Sequence, residues 1–184
     1  MIYPIIAYGN PVLKKKAIPV SADHPDLEKL IANMFETMYA SSGVGLAAPQ
    51  INKSIRLFVI DASPFADEDP QLDGFKKVFI NPVMKDESGE PWKFNEGCLS
   101  IPGIREDVER LPFITLTYHD ESFKEHTESF EGVLARIIQH EYDHIEGVLF
   151  TDLLSPLRKK LIKGKLNDIM KGKVDVDYKM RFVG

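Results

Sequence analysis

His140-Glu141-Tyr142-Asp143-His144 constrains this chain more than any other stretch. The run Glu131–Ile145 has helical periodicity and stops at Gly147, a residue suited to the left-handed position that ends helices. Residues four apart share one helical face, so His140 and His144 can converge on one metal ion with Glu141 beside them. The same face runs back through Ile137 and Val133. It therefore points into a core, and the rest of the chain must build that core around it.

The remaining pattern supplies the material. Leu27, Leu30, Ile31, Met34, Phe35 and Met38 recur at helical spacing, with Ser21 and Asp23 as cap candidates and Pro25 suited to a first turn. Strand signals follow at Ile55–Asp61, Val78–Met84, Trp92–Phe94, Ile104–Glu109, Phe113–His119 and Phe123–Phe130. A last helix fits Pro156–Lys171, opened by Ser155-Pro156. Pro4, Pro11 and Pro19 make the N-terminal segment extended and wrapped over the surface. The stretch 62–74, with four acidic residues, reads as a solvated loop and not as a site. Strands in the middle flanked by helices give an α+β class. The expectation is one domain over residues 1–184, with antiparallel or mixed sheets around a central metal-binding helix and helices towards either terminus.

Composition excludes several functions. A net charge of −5 argues against direct sequence-specific nucleic-acid binding, which leaves a basic footprint. No stretch approaches the ~18 apolar residues of a membrane helix. The start, MIYPIIAYGNPVLKKK, places its basic residues after the apolar run, unlike a secretory signal. A single cysteine, Cys98, forms no intrachain disulfide and fits a reducing compartment. The expected location is cytoplasmic.

A catalytic metal site takes three protein ligands and leaves one position open. A metzincin pattern would place the third at position 150, which is Phe150. A thermolysin-like pattern needs a glutamate on a following helix, and 156–171 contains none. Asp152 and Asp168 are candidates. So is Cys98, the stronger one beside a motif lacking its third ligand.

Three motifs then stand in order: Gly43-Val44-Gly45-Leu46-Ala47-Ala48-Pro49-Gln50, Glu96-Gly97-Cys98-Leu99-Ser100 and Gln139-His140-Glu141-Tyr142-Asp143-His144. Together they resemble the peptide deformylase family, in the bacterial form that ends in a helix. The resemblance implies removal of the N-formyl group from the initiator methionine of new polypeptides, with release of formate. It makes Cys98, His140 and His144 the metal ligands and Glu141 the general base and acid towards the attacking water. Gln50 and the Leu99 N–H become oxyanion donors. Gly43 and Gly45 become the edge along which an extended peptide pairs. Val44, Phe94, Val133 and Ile137 become the methionine pocket, with His140 at its base. Arg105 becomes a contact to the substrate backbone. Arg136 falls at the pocket rim, where an apolar residue is more familiar. The implied ion is Fe(II), one per chain, replaceable by zinc, nickel or cobalt. The implied partners are N-formyl-methionyl nascent peptides and, transiently, the ribosome, with the enzyme a monomer. Two other readings remain at this stage: an H-E-x-x-H peptidase cutting internal bonds, and a metal-binding module without turnover.

Overall fold

The computed structural model describes residues 1–183. In chain order its elements are β1 (Ile5–Ile6), α1 (Leu27–Ala40), β2 (Gly45–Ala47), β3 (Leu57–Asp61), β4 (Lys76–Ser88), β5 (Trp92–Cys98), β6 (Ile101–Arg110), β7 (Phe113–His119), β8 (Glu125–Glu131), α2 (Gly132–Glu146), α3 (Pro156–Met170) and β9 (Met180–Arg181). Strands β2-β3-β4-β7-β8 form one antiparallel sheet, β5 and β6 a separate hairpin, and β1 pairs with β9 in parallel. This is the expected α+β arrangement, with α2 at its centre.

Alternation explains the sheet. In β7, Ile114, Leu116 and Tyr118 are buried. The residues between them meet β8 on the outer face, where the Thr115–Ser129 and Thr117–Thr127 hydroxyls pair at 2.8 Å. In β6, Ile101, Ile104 and Val108 point inward. The stripe on α1 is buried as its spacing requires, and packs with Leu46, Leu57 and Val59 of β2 and β3. Each such side chain contributes roughly 1.5–3 kcal/mol when fully buried.

Helix α2 serves two layers. Ala135, Ile138 and Ile145 pack with Phe58, Phe79 and Tyr118 in the sheet core, while Arg136 and His140 reach the β5–β6 hairpin. Gly147 ends the helix at φ +77°, as its sequence position suggests.

Four expectations need correction. Ser21 and Asp23 do not cap α1. They bond to each other in a preceding turn, and the cap position is Asp26, whose side chain makes no capping bond. The N-terminal segment is not a surface wrap, because Ile5, Ile6, Ala7 and Leu13 are fully buried. Ile6, Ala7 and Leu13 join the core that α3 covers, and Ile5 joins the one around α1. Strand β4 runs on past Met84 to Ser88, and its pairing with β7 slips between Met84 and Asp86 and also between Ile80 and Val83. There Asn81 adopts φ +50° and its amide pairs with both backbone groups of Val20 at 2.7 and 2.8 Å. The 62–74 stretch contains two short 3-10 turns with Leu72 buried, and Phe65 reaches the cleft described next.

Candidate metal centre and active site

An open cleft of about 750 Å³ lies between the β2 edge and the β5–β6 hairpin, with α2 among its walls. Cys98 ends β5, and His140 and His144 project from α2. One ligand atom from each lies within 4.8 Å of the others, and the Cys98 sulfur is 3.3 Å from His144 Nε2. Bonds of ~2.0–2.3 Å to a tetrahedral ion put ligand atoms ~3.3–3.8 Å apart, so small adjustments would let the three share one. The donor set of one thiolate and two imidazoles suits zinc and the later divalent transition metals alike.

Electrostatics support the same reading. His140 Nδ1 lies 3.3 Å from Glu96 Oε2, a carboxylate that only accepts. Nδ1 is therefore the protonated nitrogen, and Nε2 is free for a metal. Burial opposes charge on His140, yet Cys98 and Glu96 hold its pKa well above the usual value. Burial pushes His144 well down, which keeps it neutral and ready to ligate. Phe150, where a metzincin would carry a histidine, instead stacks on His140 at 6.0 Å.

Glu96 is the residue that sequence reading undervalued, since it was seen only as the first letter of a motif. It sits on β5 and is almost fully buried. Arg110 donates to it at 2.8 and 3.2 Å, and Arg136 at 3.3 Å. Arg110 also bonds Asp143 at 2.8 Å. Burial would raise the Glu96 carboxyl, but His140 and Arg110 override it and hold the pKa down to about 2. Arg136 is 2% exposed. Its guanidinium donates to the Val108 and Trp92 carbonyls at 2.8 and 2.7 Å and lies 4.7 Å over the Trp92 ring. Arg136 thus lines the cleft and at the same time pins α2 to the hairpin. Glu96→Gln should lower metal affinity by ~10–100-fold, since it weakens the group that orients His140. It should also destabilise the fold by ~3–5 kcal/mol, because two buried guanidinium ions lose their shared counter-charge. Metal titration and denaturant melts of the variant test both; unchanged values would remove Glu96 from this role.

Glu141 is 5% exposed, and its Oε2 makes no hydrogen bond. Burial pushes its pKa up to about 7. A Cβ at Gly45 would lie 2.5 Å from Glu141 Oε1, and one at Gly43 would lie 2.9 Å from the Leu99 side chain. At both positions a side chain would crowd its neighbour, because the chain at the β2 edge passes directly against Glu141 and Leu99. Gln50 is 2% exposed. Its Oε1 accepts from the Ala47 N–H at 2.9 Å, which aims the amide nitrogen at Ser100 Oγ (3.3 Å) and the Cys98 sulfur (3.5 Å).

Gly43, Val44, Gly45, Gln50, Phe94, Cys98, Leu99, Arg105, Ile137, His140 and Glu141 all line the cleft, as expected from the sequence. Val133 does not. It lies in the first turn of α2 and packs against the sheet core, while Arg136 takes the wall nearer the cleft. Arg105 donates to the Asn95 side chain and carbonyl at 2.8 and 2.9 Å, so most of its guanidinium is already committed. Tyr178, from the C-terminal tail, also lines the cleft and had no signal in the sequence. Burial, then the neighbouring Cys98, raises its pKa to about 12, so its hydroxyl stays protonated and donates to the Leu99 carbonyl at 2.8 Å.

Comparison with known proteins gives the same answer. The family model described as polypeptide deformylase matches residues 2–160. The peptide deformylase of Christiangramia forsetii is 60% identical over 190 aligned residues, covering 99% of this chain and 96% of that protein. That of Flavobacterium psychrophilum is 55% identical, covering 100% of this chain and 98% of that protein. Among solved structures, a peptide deformylase from Legionella pneumophila superposes with a TM-score of 0.81 at 39% identity, covering 94% of this chain and 98% of that one. With a family model matching residues 2–160 and relatives at 55–60% identity along nearly the whole chain, the chain belongs to the polypeptide deformylase family.

Proposed function

We propose that this chain removes the formyl group from N-formyl-methionyl ends of new polypeptides, using one Fe(II) held by Cys98, His140 and His144. Zinc, nickel or cobalt can take the same place. The observation that carries this is the convergence of those three ligand atoms beside a buried, unpartnered Glu141 in a chain of this family. A divalent ion there supplies Lewis acidity and lowers the pKa of water from 15.7 to about 7.

The chain's own residues do the rest. An extended peptide lies along Gly43, Val44 and Gly45, with Arg105 beside its backbone. The methionine side chain enters between Val44, Phe94 and Ile137, with His140 at the base. The Gln50 amide and the Leu99 N–H donate to the formyl oxygen as it becomes negative, a role worth ~2.7–4 kcal/mol per donor in other acyl-transfer sites. Glu141 takes a proton from the attacking water and gives it to the departing amine as the C–N bond breaks. The products are formate and a free methionyl terminus.

The whole chain acts as one catalytic unit and as a monomer. It works in the cytoplasm on nascent peptides, in transient association with the ribosome. No helix among the described residues is long and apolar enough to cross a membrane, and the net charge of −5 disfavours direct nucleic-acid recognition.

The test is formate release from formyl-Met-Ala-Ser against the matched acetyl peptide, with metal analysis on the same anaerobic sample. The acetyl peptide should react at least ~10²-fold more slowly. Its methyl displaces the carbonyl from the donors, and a misplacement of about 1 Å costs that much. A plain apolar pocket would discriminate by only ~1–3 kcal/mol. Gln50→Ala should slow the formyl reaction with the metal retained. Comparable rates on the two peptides would overturn the assignment.

A further inference from the structure

The family match ends at residue 160, but the cleft wall does not. After α3 the chain turns back, and Asp175, Val176, Asp177 and Tyr178 line the same cleft as Leu99 and His140. This strap is fixed at both ends. Before it, the Lys173 N–H donates to the Asp168 carbonyl at 2.8 Å and closes α3. After it, the Lys179 and Arg181 carbonyls accept from the Ile5 and Ala7 N–H groups at 2.8 and 2.9 Å, and Phe182 packs against the core beneath α3.

Between these anchors, Tyr178 touches the residue that follows a metal ligand. Leu99 and Ser100 form the turn between β5 and β6. Each carbonyl of that turn accepts from a donor outside the hairpin: Tyr178 Oη bonds the Leu99 carbonyl at 2.8 Å, and the Tyr8 N–H bonds the Ser100 carbonyl at 2.8 Å. Gln50 holds the Ser100 hydroxyl from a third side. The N–H and C=O of Leu99 belong to adjacent rigid peptide planes joined by only two soft dihedrals. Fixing the carbonyl plane, with β5 fixing the other, therefore limits where the Leu99 N–H can point.

We propose that Tyr178 is a positioning residue for the deformylation step, holding the Leu99 carbonyl so that the Leu99 N–H stays aimed into the cleft. The strap 175–178 is then a working part of the active site. This inference rests on the reading of Gln50 and the Leu99 N–H as the two oxyanion donors.

Tyr178→Phe keeps the ring, which packs against the α1 core cluster, and removes only the hydroxyl. One hydrogen bond of net worth predicts kcat on formyl-Met-Ala-Ser lower by ~3–10-fold, with KM within ~2-fold and metal content unchanged. Amide hydrogen exchange at Leu99 should quicken in the same variant. A tyrosine that only tethers the tail would instead lower the melting temperature and leave kcat at 25 °C intact, which overturns the proposal. A raised KM with unchanged kcat overturns it as well, since Tyr178 would then be a substrate contact. Gln50→Ala measured alongside separates the two levels. If it too keeps full kcat, the donor reading itself fails. If it loses kcat while Tyr178→Phe does not, only the positioning role fails.

Discussion

Glu141→Ala should keep its metal and lose ~10²–10⁴ in turnover on formyl-Met-Ala-Ser. All three ligands remain in the variant, so binding of the ion is not at issue. What disappears is a carboxylate with one oxygen free of partners, in contact distance of the β2 edge where the peptide is proposed to lie. Burial sets its pKa near 7, and a general base works best when its pKa is close to the working pH. Glu141→Gln should fail equally while preserving shape, which separates proton transfer from packing. A metal-loaded variant of either kind with near-normal kcat would show that another group moves the proton.

Cys98→Ala should lose both metal and activity. The affinity loss should exceed the ~10–100-fold typical of losing an outer hydrogen-bond partner, because a direct ligand is removed. Neither acidic alternative stands ready to replace it. Asp152 is engaged by the Leu149 N–H at 2.9 Å and by Lys14, and Asp168 belongs to the far end of α3. Among the described residues, Cys98, His140 and His144 form the one cluster with ligand atoms close enough for an ion. Metal content after dialysis, read beside formate release, checks this. If Cys98→Ala kept its metal and cut internal peptide bonds, the protein would be an H-E-x-x-H peptidase.

The two histidines and Glu141 were legible in the sequence because their chemistry depends on residue type at short spacing, whereas Gln50 was reached only through the resemblance to the deformylase motifs. Two imidazoles four apart on a helix need a third ligand, and Cys98 was the chain's lone thiol. The α1 stripe and the β7 alternation were legible for the same local reason. The partners of Glu96 were not. Arg110 lies on the neighbouring strand of the hairpin, at a place set by its register, and Arg136 arrives from α2. The hold of Arg136 on the Trp92 and Val108 carbonyls left no sequence signal either, because those carbonyls lie 44 and 28 residues away on the hairpin. Val133 was misplaced because helical spacing gives a face but not how far along the helix the cleft extends. The Tyr178 contact spans 79 residues and relies on a two-residue pairing of β1 with β9, too short to leave any periodic pattern.

The buried network is also electrically self-contained. Arg110 and Arg136 carry two positive charges inside the protein, and Glu96 and Asp143 carry two negative ones beside them. That set sums to zero by itself. An uncompensated unit charge in a poorly solvated interior costs several kcal/mol. Because these four groups balance among themselves, they can clamp the hairpin to α2 without borrowing charge from Cys98 or His144.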